Sequence, residues 1–120
     1  MGLLGWPLEY TLSPTIHNAA FKSLALDWIY LRWPVPPEHL AGAVAGLRAL
    51  GAEGANVTIP HKEQVIPLLD ELSGDARRVG AVNTVQRLGE ALVGHNTDVD
   101  GFREAVVADA GIDLRDKAVL

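Results

Sequence analysis

Lys62 and Asp98, together with the short hydroxyl and amide side chains of Thr11, Ser13, Asn56, Thr58 and Asn83, are the residues of this chain whose types could do chemistry as a group. An ammonium beside a carboxylate can exchange a proton with a carbonyl that is being reduced. Hydroxyls and amides offer donors and acceptors at short range, and a small polyhydroxylated molecule needs both at each of its hydroxyls. Each residue also has a plainer reading. Ser13 before Pro14 reads as a helix cap, Asn56 and Asn83 as turn residues, and Thr58 as a strand residue by propensity. Lys62 and Asp98, taken singly, read as solvated surface charges.

Their placement favours the chemical reading. Short β-like apolar runs alternate with helical patterns, which predicts an α/β domain. Gly2–Trp6 reads as a first strand, followed by a helix from Pro14 to about Ala25 with Ile16, Ala19, Ala20 and Leu24 as its apolar face. Trp28–Trp33 reads as a second strand and Pro37–Leu50 as a second helix stopped by Gly51. Gly54–Ile59 is a third strand. Glu63–Leu72 suits a helical stretch broken by Pro67, and Ser73 caps a short helix to Val79. Ala81–Leu88 and Ala91–His95 read as a hairpin across Gly89-Glu90, with a last helix over about Val99–Ala110. Lys117–Leu120 reads as the start of another strand. Thr11 and Ser13 thus follow the first strand, while Asn56, Thr58 and Lys62 end and follow the third. Asn83 interrupts an apolar strand, and Asn96 and Asp98 follow the hairpin. Ligands of open α/β sheets bind beyond the carboxyl ends of strands, so these segments are expected to converge on one pocket.

Composition narrows the partners. Fifteen acidic against ten basic side chains give a formal charge of -5, which argues against nucleic acid or an anionic membrane. With 48% hydrophobic and 21% charged residues the chain is of ordinary globular composition. It contains no cysteine, which excludes a disulfide scaffold, a thiolate metal site and a cysteine nucleophile. Histidines at 17, 39, 61 and 95 show no metal-ligand spacing, and no GxSxG elbow, Walker loop or GxGxxG turn occurs. The start Met1–Pro7 lacks the basic and long apolar regions of a signal peptide, and Leu40–Leu50 is too short to span a bilayer and carries Arg48. A cytoplasmic protein is expected, in which the sequon Asn56-Val57-Thr58 is empty.

Four segments carry a resemblance. Gly5-Trp6-Pro7-Leu8-Glu9-Tyr10-Thr11-Leu12-Ser13-Pro14-Thr15-Ile16-His17-Asn18 resembles the G-x-P-x-x-S-x-S-P-x-x-H-N opening of shikimate dehydrogenases. Gly54–Glu63 is similar to their G-x-N-V-T-x-P-x-K-E segment, Gly80–Thr84 to G-A-V-N-T, and Gly94–Asp98 with Gly101 to G-x-N-T-D-x-x-G. The resemblance implies a twisted, mainly parallel sheet with helices on both faces, forming a substrate-binding domain over residues 1–112. Residues 113–120 would then open an NADP-binding Rossmann domain, whose G-x-G-x-x turn is expected just after Leu120. The implied activity is NADPH-dependent reduction of 3-dehydroshikimate to shikimate, on the route to chorismate and aromatic amino acids. Lys62 takes the place of the catalytic lysine and Asp98 that of its paired carboxylate. Thr11 and Ser13 take the places of two serines that hold the substrate carboxylate, and Asn56, Thr58, Asn83 and Asp98 those of residues that bind ring hydroxyls. The cofactor would be held downstream, as would a further substrate-contacting glutamine, so the 120 residues alone are expected to be inactive. Thr11 departs from the family's serine by one methyl group, which leaves quinate, or both acids, open as substrate. A stand-alone, non-catalytic module for a shikimate-like ligand is the alternative of another class. Oligomeric state is left open.

Overall fold

Leu3 and Leu4 are neighbours in the first strand, so the pleat sends their side chains to opposite faces, and each finds a different helix. Leu4 joins a cluster with Leu40, Val44 and Leu47, while Leu3 joins Phe21 and Tyr30. Helices therefore cover both faces. In this computed structural model, which describes residues 1–112, the strands are β1 (Gly2–Gly5), β2 (Leu31–Pro34), β3 (Gly54–Val57), β4 (Glu71–Leu72), β5 (Thr84–Leu88) and β6 (Ala91–His95). The helices are α1 (Ser13–Ser23), α2 (Leu40–Ala49), α3 (His61–Gln64), α4 (Gly74–Val79) and α5 (Asp98–Arg103). One-turn 3-10 helices precede α2 and follow α3, and a π-helical stretch, Glu104–Asp109, continues α5. The strand expected at Lys117–Leu120, and the whole interval 113–120, lie outside the described residues.

The six strands stand in the order β2-β1-β3-β5-β6-β4. β1 pairs in parallel with β2 and β3, and β4 with β6, whereas β5 runs antiparallel to both neighbours. The sheet is thus mainly parallel, as the resemblance implied, with one strand reversed. That reversal matters for the site. Because Asn56 pairs with Thr84 and Thr84 with His95, the beginning of β5 lies at the edge where β1, β3 and β6 end. The hairpin between β5 and β6 turns at Gly89, whose φ of 63° is the left-handed conformation such turns require.

The α2 face holds the main core: Val57, Val65, Ala76, Val82, Val85 and Leu92 all belong to it. β6 passes so close beneath that a Cβ on Gly94 would meet Leu69, Leu72 and Val82 at 2.7–2.8 Å. The α1 face is thinner. α1 was expected to bury Ile16 and Leu24, but these are 62% and 68% exposed, and Phe21 is its buried residue. The helix docks instead through His17, Asn18 and Phe21. His17 stacks on Tyr30 with ring centroids 4.2 Å apart, and Phe21 meets Trp28 edge-on at 5.5 Å. Asn18 donates to the Tyr30 carbonyl at 3.0 Å and accepts from its N–H at 2.8 Å. With both Tyr30 backbone groups claimed by a side chain, the second strand begins at Leu31 rather than at Trp28. The stretch after α3 also differs from expectation: beyond Pro67 it forms the short strand β4 instead of more helix. Ser73 does cap α4, accepting from the Ala76 N–H at 3.2 Å.

Candidate functional site

Lys62 sits on α3, a single turn tied down at both sides. His61, fully buried, approaches the Val35 carbonyl through Nε2 at 2.7 Å, and the Lys62 carbonyl accepts from the Val82 N–H at 2.8 Å. The second contact fixes the lysine backbone one residue from Asn83. Asn83 is itself held between strands: its N–H donates to the His95 carbonyl at 3.0 Å and its carbonyl accepts from Val57 at 2.8 Å. Asp98 opens α5. There Asn96, buried, accepts from the N–H groups of Asp98 and Val99 and donates to the Ala81 carbonyl at 2.9 Å.

These three mounts bring the ionisable pair together. Lys62 Nζ donates to Asp98 Oδ2 at 2.6 Å, and Asn83 Nδ2 donates to Asp98 Oδ1 at 2.8 Å. Each carboxylate oxygen thus has one donor. The hydrogen bond from Lys62, aided by Asn83 and by the lysine charge against a smaller opposing effect of burial, holds the Asp98 carboxyl below the usual carboxylate range. Neither member is sequestered, the side chains being 36% and 58% exposed, so the pair can meet a ligand from solvent.

Asn83 uses its whole amide. Nδ2 also donates to Thr97 Oγ1 at 2.8 Å, while Oδ1 accepts from the Thr97 N–H and the Thr84 hydroxyl, each at 3.0 Å. Asn56 lies one step behind. Its Nδ2 donates to Thr84 Oγ1 at 3.2 Å and its Oδ1 accepts from the Tyr30 phenol at 2.7 Å. Thr58 directly follows β3, its N–H bonded to the Leu4 carbonyl at 2.9 Å, and lines a groove of about 370 Å³ with Ile59, Pro60, Lys62 and Glu63. That is the lower end of the size range of small-molecule sites.

Thr11 and Ser13 form a separate pair. The Thr11 hydroxyl donates to Ser13 Oγ at 3.1 Å and accepts from the Ser13 N–H at 3.2 Å. Ser13 is the first helical residue, preceded by Leu12 at the cap position, and its hydroxyl caps no backbone group. The expected cap role is therefore not the one Ser13 plays. Among the described residues no hydrogen bond joins this pair to the Lys62 group. Sequence reasoning gave no site role to Tyr30, Thr84 or Thr97, although Thr84 and Thr97 each stood inside a quoted motif and Tyr30 lay within the second expected strand.

Among the described residues, three of the turns between a parallel strand and its helix are interrupted by proline. The turn from β1 to α1 contains Pro7, that from β2 to α2 contains Pro36 and Pro37, and that from β3 to α3 contains Pro60. Proline supplies no N–H, and a phosphate cradle needs several in succession. No helix of the described residues is long and apolar enough to cross a membrane.

Residues 3–85 match the family described as shikimate dehydrogenase substrate binding domain. A shikimate dehydrogenase (NADP(+)) of Geobacter metallireducens is 55% identical over 111 residues, 92% of this chain but 39% of the relative. The crystal structure of a shikimate 5-dehydrogenase from Listeria monocytogenes in complex with shikimate and NAD superposes with a TM-score of 0.87 at 43% identity, over 95% of this chain and 39% of that one. A 5-ketofructose reductase of Gluconobacter sp. shares the fold at a TM-score of 0.84 and 34% identity, over 89% of this chain and 39% of that one. The chain spans about two fifths of the length of each of these proteins.

Proposed function

This chain belongs to the shikimate dehydrogenase family, and from that premise we propose that it is the substrate-binding domain of an NADP-dependent shikimate dehydrogenase, reducing 3-dehydroshikimate to shikimate. The observation that carries the reading is the ammonium of Lys62 at 2.6 Å from Asp98, whose other oxygen is taken by Asn83. In that role Lys62 places a proton at the substrate oxygen that gains charge, and Asp98 keeps the ammonium charged and aimed. Thr58, Asn83 and Asp98 face the ring hydroxyls, with Asn56 behind them, and Thr11 and Ser13 take the carboxylate. Residues 1–112 form the domain, and 113–120 lead towards the part that would hold NADP. The turns after β1, β2 and β3 carry proline and offer its phosphates few N–H groups, and the hydride donor and its geometry are assigned to the rest of the protein. A cytoplasmic setting, a small-molecule partner and no nucleic acid or membrane partner complete the proposal. Thr11 in place of serine favours a second reading, in which quinate is accepted beside or instead of shikimate.

Calorimetric titration of the chain with shikimate and quinate tests the binding claim; saturable shikimate binding is expected, and heat no larger than that with buffer would remove it. Catalysis is tested by joining the chain to the downstream part of the Geobacter metallireducens relative. NADPH-dependent reduction of 3-dehydroshikimate is expected from the chimera and none from the 120 residues alone. Binding without turnover in a folded chimera would favour the non-catalytic module.

A further inference from the structure

Behind the Lys62–Asp98 pair runs an unbroken series of hydrogen bonds whose direction is set from its buried end. Tyr30 is 1% exposed, and burial pushes its phenol up to about 12, so at neutral pH it keeps its proton and donates to Asn56 Oδ1 at 2.7 Å. The Asn56 amide nitrogen then faces two oxygens, Thr84 Oγ1 at 3.2 Å and the Asn83 carbonyl at 3.4 Å, the second of which can only accept. Thr84, having accepted, gives its single proton to Asn83 Oδ1 at 3.0 Å. That oxygen also accepts from the Thr97 N–H, so the Asn83 nitrogen must face Asp98 Oδ1, which accepts from it. A reversed Asn83 amide would set its N–H groups against those of Thr97 and Lys62's partner would lose a donor.

We propose that Tyr30 and Thr84 are positioning residues for the proposed reaction: through Asn56 and Asn83 they fix which face of the Asn83 amide meets Asp98, and so hold Asp98 in place for Lys62. The proposal rests on reading Lys62 and Asp98 as the substrate-facing pair. Neither Tyr30 nor Thr84 bonds to that pair directly; the effect travels only through the two amides. The Thr97 N–H supports the same orientation, so loss of Thr84 weakens the arrangement without abolishing it.

The test uses Thr84→Val, which keeps the shape and removes the hydroxyl, Thr84→Ser, which keeps the hydroxyl, and Tyr30→Phe, which keeps the ring on His17. Two quantities are read on the 120-residue chain: the titration midpoint of the Asp98 carboxyl by carbon NMR, and shikimate affinity by calorimetry. Thr84→Val is expected to move the midpoint up towards the ordinary carboxylate value and to weaken binding by about three- to tenfold, the scale of one neutral hydrogen bond. Thr84→Ser is expected to restore both, and Tyr30→Phe to shift both in the same direction by less. An unmoved midpoint in Thr84→Val with a lowered melting temperature would assign the hydroxyl to stability alone and overturn the proposal. So would failure of Thr84→Ser to restore the midpoint. Should Thr84→Val not fold, Tyr30→Phe with an unmoved midpoint would overturn it instead. Absence of shikimate binding by the unsubstituted chain counts against the substrate reading only, since the midpoint still decides the positioning claim.

Discussion

The polyol end of the proposed site and its carboxylate end are built in opposite ways. At the polyol end Lys62, Asp98 and Asn83 come from three separate segments, and every amide and carboxylate atom of the trio has a partner. At the other end Thr11 and Ser13 lie two residues apart on one segment and bond to each other. The first arrangement fixes a charge and a proton before any ligand arrives, which suits groups that act on a transition state. The second offers hydroxyls that can turn towards an anion, which suits plain binding. Loss of the Lys62–Asp98 pair itself should therefore act chiefly on rate, and loss of a hydroxyl at the carboxylate end on affinity.

The largest effect is expected at Lys62. Positioned acid–base help is typically worth about a hundred- to ten-thousand-fold, so Lys62→Ala in the chimera should lower kcat by that order while KM changes little. Asp98→Asn should lose much of the same factor, and the double variant should fall short of the product of the two losses, because the residues act as a unit. Steady-state kinetics on the four proteins reads this directly. Near-normal kcat in both single variants would return the two residues to surface charges and erase the contrast between the two ends.

Ser13 comes next. A hydrogen bond to a charged group contributes roughly 1.5–3 kcal/mol, so Ser13→Ala should raise KM by about tenfold or more at nearly unchanged kcat. A loss in kcat instead would mean that the carboxylate end also works on the transition state.

The two ends also differ in how much of them could be read in advance. Polar residues at strand ends carried the polyol end, because all strands but β5 run in one direction and so end at one edge. That reversal at β5 is announced by the Gly89 hairpin, and it brings Asn83 to the carboxyl edge. What stayed hidden depends on side chains acting on distant backbone. Asn18 takes both backbone groups of Tyr30, which shortens β2 and turns α1 onto His17 and Phe21 rather than Ile16 and Leu24. No periodicity records a side chain that replaces a strand partner. Ser13 before Pro14 has the form of a cap, yet the helix includes it, and only the geometry releases its hydroxyl for another use.

Acidification should separate the ends more gently. Asp98 is held below the ordinary carboxylate range in the fold, so its contribution is full above its unfolded value and is lost as pH falls through the lower folded one. Between neutrality and the ordinary carboxylate range the Lys62–Asp98 pair should therefore stay intact. Since both side chains are more than a third exposed, the loss below that range should cost the fold under about 1 kcal/mol. Melting curves of the chain and of Asp98→Asn across acid pH should converge; parallel curves would show that Asp98 does not titrate with the fold.

The smallest expected effect tests whether the carboxylate end also selects. Thr11 brings a methyl group where the family motif has serine, on the same Cβ as the hydroxyl that meets Ser13 and is proposed to receive the anion. A buried methylene is worth about 0.8 kcal/mol, which is about fourfold in a ratio of specificities, and Thr11 is only half-buried. Shikimate and quinate share the carboxylate and differ at the carbon that bears it, where quinate is tetrahedral and carries a hydroxyl. A methyl group at that point can therefore favour one acid over the other, whereas nothing at the Lys62 end can tell them apart by that carbon. Thr11→Ser in the chimera should change the quinate-to-shikimate ratio of kcat/KM by up to about fourfold and leave kcat for shikimate alone. An unchanged ratio would make the methyl incidental.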